Sequence, residues 1–123
     1  EPNTVSYNAA ISACEKAAQW RSAVELLMRM PSAGLRPDTI SYNAAISAFG
    51  KAAHWRLALG LLAQMLRASL QPNTTSYSAA ISACEKGRQW RLAVGLLAQM
   101  PSAGLRPDIF SYSAAISACE KFG

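Results

Sequence analysis

Apolar residues recur along this chain at helical spacing. Tyr7, Ala10, Ile11 and Cys14 stand at i, i+3, i+4 and i+7, one face of an amphipathic helix. The spacing predicts a helix A over about Val5 to Lys16, with Asn3 and Thr4 placed to cap its free N–H groups. After an Ala-Ala-Gln connection, Trp20, Ala23, Val24 and Leu27 repeat the spacing, and Ala23, Leu26 and Met30 add a second stripe beside it. A helix B packed on two sides is therefore expected from about Trp20 to Met30. Pro31 lacks a backbone donor and should end it, Gly34 suits the left-handed residue just past a helix end, and Pro37 favours an extended entry into the next helix.

The pattern then returns. SYNAAISACEK at Ser6 recurs as SYNAAISAFGK at Ser41, as SYSAAISACEK at Ser76 and again from Ser111, each 35 residues after the last, and Trp20, Trp55 and Trp90 keep the same interval. A fixed period of this size is the mark of a stacked repeat array, in which each unit buries its apolar face only against its neighbours. The units run from Thr4 to Asp38, Thr39 to Asn73 and Thr74 to Asp108, followed by a partial unit over residues 109–123, while residues 1–3 match the close of a preceding unit. Residues 1–123 are thus expected to be a single array cut from a longer protein. Repeat two has Leu66, Arg67 and Ser69 in place of Pro31, Ser32 and Gly34, so its second helix should run longer, whereas repeat three restores Pro101 and Gly104. The fold class predicted is all-α: an α-solenoid of tandem antiparallel helix pairs forming a right-handed superhelix. Helix A is expected on the inner wall, because its face away from the core carries Val5, Asn8, Ser12 and Glu15, whereas helix B turns Arg21, Glu25 and Arg29 outward.

Charge narrows the partner. Twelve Lys and Arg against seven Asp and Glu give a net charge of +5 and a pI near 9.5, which favours a polyanion. No apolar run approaches the roughly 18 residues of a membrane span, so no membrane partner is expected. Cys14, Cys84 and Cys119 share one repeat position with Phe49, the behaviour of a core site rather than of a disulfide framework or metal site. The Trp, Tyr and Met columns likewise read as core, and the lone His54 as a polar surface residue. With no His/Cys cluster, paired carboxylates or phosphate-cradling glycine loop, the chain is not expected to be an enzyme, and nothing calls for a cofactor, a metal or a small-molecule substrate.

The 35-residue helix pair with its Tyr-Asn opening, Lys closing helix A, Ala-Leu-Leu helix B ending in Met, and Gly-x-x-Pro-Asp finish resembles the pentatricopeptide repeat. The resemblance covers the whole chain through Tyr7, Lys16, Ala23, Leu26, Met30, Gly34, Pro37, Asp38 and their counterparts. It departs from the family at 18, 53 and 88, where Ala or Arg replaces a frequent Gly, and at Glu15, Glu85 and Glu120, carboxylates on the inner strip that should mildly repel phosphate.

The resemblance implies sequence-specific binding of single-stranded RNA, one base per repeat, in organellar RNA processing, stabilisation or editing in a mitochondrion or chloroplast. The fifth and last residues of each unit would read the base. These are Asn8 with Asp38 for uracil, Asn43 with Asn73 for cytosine or uracil, and Ser78 with Asp108 for guanine, 5′ to 3′ along the chain, with Ser113 at the fifth place of the partial unit. The second residues, Val5, Ile40, Thr75 and Phe110, would clamp bases between them. Lys16, Lys51, Lys86 and Lys121 would contact phosphates without reading sequence. Repeats one and three differ at only eight of 35 positions, and Asn8/Ser78 and Val5/Thr75 are two of them. Capping alone would also explain Asx residues just before helix A. The alternative function is a protein-interaction scaffold of tetratricopeptide type, against which stand the 35-residue period and the Trp on the second helix.

Overall fold

The computed structural model describes residues 3–122, with side chains described through 120. Among the described residues seven helices follow one another: α1 (Thr4–Lys16), α2 (Trp20–Arg29), α3 (Thr39–Lys51), α4 (Trp55–Arg67), α5 (Thr74–Lys86), α6 (Trp90–Ser102) and α7 (Ile109–Phe122), with a 3-10 turn over Pro31–Ala33. There is no strand among the described residues.

Each first helix of a pair starts on an Asx cap. Asn3, Asp38 and Asn73 have extended backbones and accept the N–H groups of Ser6, Ser41 and Ser76 at 2.8, 3.0 and 3.1 Å, and Asp108 accepts that of Ser111 at 2.8 Å. The C-terminal ends of α1 to α6 share a second device, a left-handed residue whose successor reaches back five residues. Gln19, His54 and Gln89 donate to the carbonyls of Cys14, Phe49 and Cys84, and Leu35, Leu70 and Leu105 to those of Met30, Met65 and Met100, all at 2.8 to 2.9 Å. Gly34 and Gly104 serve as the left-handed residue in two of these turns, but Ala18, Ala53, Ser69 and Arg88 hold φ of 59 to 63° in the other four. A Cβ in that region is crowded by the following carbonyl.

Repeat two has the longer second helix that its sequence predicts. Repeat three departs from expectation: α6 runs through Pro101 to Ser102. In repeat one Ala33 N–H reaches only Met30, three residues back, whereas Ala103 N–H reaches Gln99 as well as Met100. The chain follows nearly the same path after both prolines, and a proline in the last turn removes one hydrogen bond without stopping the coil.

Helices α1, α3, α5 and α7 pack side by side in a continuous wall. Each of α2, α4 and α6 touches the first helix of its own pair and of the next, and none touches another of its kind. One wall is closed and the other splayed, so the solenoid curves towards the α1–α3–α5–α7 side. Between the walls Ile11, Ile46, Ile81, Met30, Met65, Met100, Ala23, Ala58 and Ala93 are all fully buried. Gly50 lets α3 and α5 close up, since a Cβ there would stand 3.1 Å from the Ala79 carbonyl oxygen. No helix among the described residues is long and apolar enough to cross a membrane.

The Trp column differs from the fully buried core expected. Trp20, Trp55 and Trp90 are half-buried, each with the next residue's guanidinium over its ring, Arg21 at 5.2 Å and Arg56 and Arg91 at 5.1 Å. They act as seams between units. Trp20 lies 5.6 Å from the Phe49 ring and 4.4 Å, edge-on, from that of His54. Trp55 lies against Gly87, where a Cβ would come within 2.2 Å of Cδ1. His54 is thereby a half-buried member of the first seam rather than a plain surface residue. The Cys/Phe column is core at Phe49 and Cys84, and burial pushes the Cys84 thiol up to about 11.

Candidate nucleic-acid interface

The residues singled out as base readers stand at opposite ends of one unit, 30 positions apart, and the stacking of the next unit's first helix brings each pair into contact. Asn8 Nδ2 donates to Asp38 Oδ1 at 3.1 Å, Asn43 Nδ2 to Asn73 Oδ1 at 3.0 Å, and Ser78 Oγ to Asp108 Oδ1 at 3.4 Å. The last residue of one unit, which caps the next unit's first helix, is thus also the partner of the fifth residue behind it. Capping and pairing use the same oxygen. Asp38 Oδ1 takes Ser41 N–H, Ser41 Oγ and Asn8 Nδ2, leaving Oδ2 without a partner among the described residues. Asn73 Oδ1 is engaged in the same way, which leaves its amide NH2 as the outward chemistry of that unit.

A serine fixes each pair, and the reading of the sequence missed it. Ser41, Ser76 and Ser111 are fully buried. Ser41 Oγ accepts Asp38 N–H at 3.0 Å and lies within reach of both Asn8 Oδ1 and Asp38 Oδ1. Ser76 stands likewise towards Asn43 and Asn73, and Ser111 Oγ meets Ser78 Oγ at 2.7 Å and Asp108 Oδ1 at 2.7 Å. With a serine hydroxyl at Asn8 Oδ1 and Asn43 Oδ1, the amide orientation of both readers is set before any ligand arrives. The signal was present in the sequence: an Asx residue followed three positions later by Ser is the spacing of a reciprocal cap.

Electrostatics follow from these bonds. Burial raises the Asp38 carboxyl, but the Ser41 N–H, the Ser41 hydroxyl and the Asn8 amide outweigh it and hold Asp38 below the ordinary aspartate value. Hydrogen bonds from the Ser111 hydroxyl and N–H do the same for Asp108, against a smaller effect of burial.

The clamp residues are large and apolar at three of four places, yet they face solvent. Val5 is 76% exposed, Ile40 63% and Phe110 57%, and Thr75 is exposed as well. One cavity of about 370 Å³ is bordered together by Ile40 and Thr75, by Asn43 and Asn73, and by Ser47 and Glu15, so clamp and reader of unit two converge on one space. Ser78 is more enclosed than the other fifth residues, and Ser113 is exposed. A larger cavity, about 560 Å³, lies elsewhere, among Arg36, Pro37, Ser69 and Arg67 at the end of α4, and shares only Asp38 with the readers.

The lysines are not equivalent. Lys16 and Lys86 are exposed at the ends of their helices, whereas Lys51 forms an ion pair with Glu15 Oε2, which also accepts Ser47 Oγ at 3.2 Å. Lys51 Nζ further donates to the Glu15 carbonyl at 3.3 Å. Lys121 lies outside the described side chains.

These features define a helical-repeat solenoid with a polar ladder along its closed inner wall. The PPR repeat family model matches residues 2–51 and 37–86, and the PPR repeat model residues 75–105; the chain belongs to the pentatricopeptide repeat family. Among solved structures, the maize pentatricopeptide repeat protein PPR10 matches with a TM-score of 0.82 at 23% identity over 98% of this chain. PPR10 in complex with an 18-nt psaJ RNA element matches with 0.87 at 23% identity over the whole chain. The PPR domain of Arabidopsis thaliana protein-only RNase P 1 in complex with tRNA matches with 0.80 at 19% identity over 92%. At these identities the likeness is one of fold. The chain spans 18% of the PPR10 chain and 61% of the RNase P 1 domain. No curated protein sequence matches it.

Proposed function

We propose that this chain binds single-stranded RNA in a sequence-specific way, one base per repeat, without catalysing a reaction on it, and that it works in organellar RNA processing, stabilisation or editing. The observation that carries this reading is the cavity of about 370 Å³ in which an exposed clamp, the apolar Ile40 with Thr75, meets a pre-oriented polar pair, Asn43 with Asn73. An isoleucine and a threonine methyl flanking a polar pair suit an unstacked base, whose faces are apolar and whose edge carries donors and acceptors. A +5 chain suits a polyanionic strand. The RNA-bound relatives of the same fold support the reading.

Unit two gives the test. Asn73 Oδ1 is already engaged, so its NH2 is the group left for the base, and a donor there suits the ring-nitrogen acceptor of cytosine. Asn73→Asp replaces that donor with an acceptor, which suits the N–H of uracil. With all four bases compared at that position in fixed low salt, preference is expected to move from cytosine to uracil by about 1–3 kcal/mol. If all four RNAs weakened together with their ranking unchanged, Asn73 would be a helix cap and no reader.

A further inference from the structure

The column that holds Glu15 in repeat one and Glu85 in repeat three holds Gly50 in repeat two. At the first junction the carboxylate is occupied: Glu15 takes Lys51 and Ser47, so the positive charge of Lys51 is neutralised where a phosphate would need it. At the second junction the counterpart lysine, Lys86, borders an opening of about 270 Å³ with Gly50, Ser47, Ser82, Lys51 and Phe110. No carboxylate of the described residues lines it, and Lys86 makes no ion pair with any of them. Lys86 and Ser82 therefore border a space that has an aromatic ring at its edge, with Phe110 57% exposed, while Lys51 and Ser47, which also border it, give their polar ends to Glu15.

We infer that this opening is the principal phosphate seat of the array: a nucleotide places its phosphate over Gly50 against Lys86 and its base against Phe110, while Glu15 keeps Lys51 from gripping the strand equally. The inference rests on the RNA reading above but assigns an uneven grip, one strong contact at the second junction and a weak one at the first. It also gives Gly50 two effects. Its missing side chain lets α3 approach the Ala79 carbonyl, and the missing carboxylate leaves Lys86 uncompensated.

Guanosine 5′-monophosphate, guanosine and inorganic phosphate are the probes, titrated into the isotope-labelled chain and followed by NMR. The monophosphate is expected to shift the Gly50 amide, the Lys86 side chain and the Phe110 ring together; phosphate alone should move the first two and guanosine alone the third. Lys86→Ala should weaken the monophosphate about tenfold, the loss of one charge-assisted contact, and Lys51→Ala less than about twofold by the same measure. Glu15→Gln frees Lys51 and should raise affinity. Both lysines are exposed, so their truncation leaves the core intact. Equal losses from Lys51→Ala and Lys86→Ala, or an unmoved Gly50 amide at saturation, would overturn the inference. Uptake of the monophosphate at Gly50 and Lys86 by a chain that bound no single-stranded RNA would uphold the seat and sink the RNA reading; RNA binding with equal losses at both lysines would do the reverse.

Discussion

Across the first junction, between units one and two, Asp38 caps α3 as an anion, Glu15 holds Lys51, and Trp20 meets the rings of Phe49 and His54. Across the second, Asn73 caps α5 without charge, Gly50 and Lys86 border an opening, and Trp55 meets the bare backbone of Gly87. The backbone is nearly indifferent to this exchange: both junctions use the same Asx cap, the same buried serine and the same left-handed turn. This array separates what holds the units together from what distinguishes the two junctions: Glu15/Gly50 and Asp38/Asn73 differ on the inner wall, and Phe49/Cys84, Ala52/Gly87 and His54/Gln89 at or beside the Trp seam.

The seams give the largest expected effect. Trp55→Ala should lower stability by roughly 3 kcal/mol, the bottom of the range for a core aromatic, because Trp55 is only half-buried. Gly87→Ala should cost about 1–3 kcal/mol by overpacking, since the added carbon collides with the indole. In the Trp55→Ala background the collision has no partner, so most of the Gly87→Ala cost should vanish, a coupling of about 1 kcal/mol or more in a double-mutant cycle. Additive losses in chemical denaturation would mean that the ring moves aside freely and that the second seam is no tighter than the first.

Much of this was legible in the sequence because the period is strict. The helix pairs, their Asx caps and the identity of the inner wall follow from the spacing of Tyr7, Ile11 and Cys14 and from small polar groups opposite them. The pairing of Asn8 with Asp38 could be named from the family resemblance, but its geometry needs the stacking register. The features that stayed hidden did so for physical reasons. Glu15 and Lys51 stand 36 positions apart, and neither column reveals that the two meet across a junction. His54 looked solvated because its partner Trp20 lies in the preceding unit. The left-handed turns at Ala18, Ala53 and Arg88 carry no glycine, so local chemistry gave no signal; the backbone bonds from Gln19, His54 and Gln89 back to Cys14, Phe49 and Cys84 close them all the same. Pro101 read as a stop, but a proline in the final turn costs one hydrogen bond only.

Those turns give the next effect in size. Ala18 and Ala53 hold φ of 59 and 61° at equivalent points of the two junctions, a conformation that glycine adopts without crowding. Ala53→Gly should therefore stabilise the chain by up to about 1 kcal/mol, read as a raised midpoint of thermal unfolding. Ala18→Gly should gain as much, because the comparison holds that the two junctions share one backbone. A gain at one site and a loss at the other would show that their backbones differ in strain as well as in side chains.

The smallest effect separates the two caps by charge. Asp38 and Asp108 have carboxyls held below the ordinary value by the hydrogen bonds of Ser41 and Ser111, whereas Asn73 makes the same cap bonds and does not titrate. For a depressed carboxyl the sign is fixed: its contribution to stability is fully present above the unfolded aspartate value, about 3.9, and is lost as pH falls through the lower folded value. Both carboxyls are substantially solvated, so the loss should be modest. Asp38→Asn gives the first junction the neutral cap of the second. The parent should therefore lose more stability than Asp38→Asn as pH drops from about 5 to 3, and the double variant Asp38→Asn, Asp108→Asn should lose least. Unfolding midpoints measured across that range decide it. Parallel acid profiles for parent and double variant would mean that protonated aspartates cap as well as ionised ones, and that the difference between the two junctions is one of base reading and phosphate grip alone.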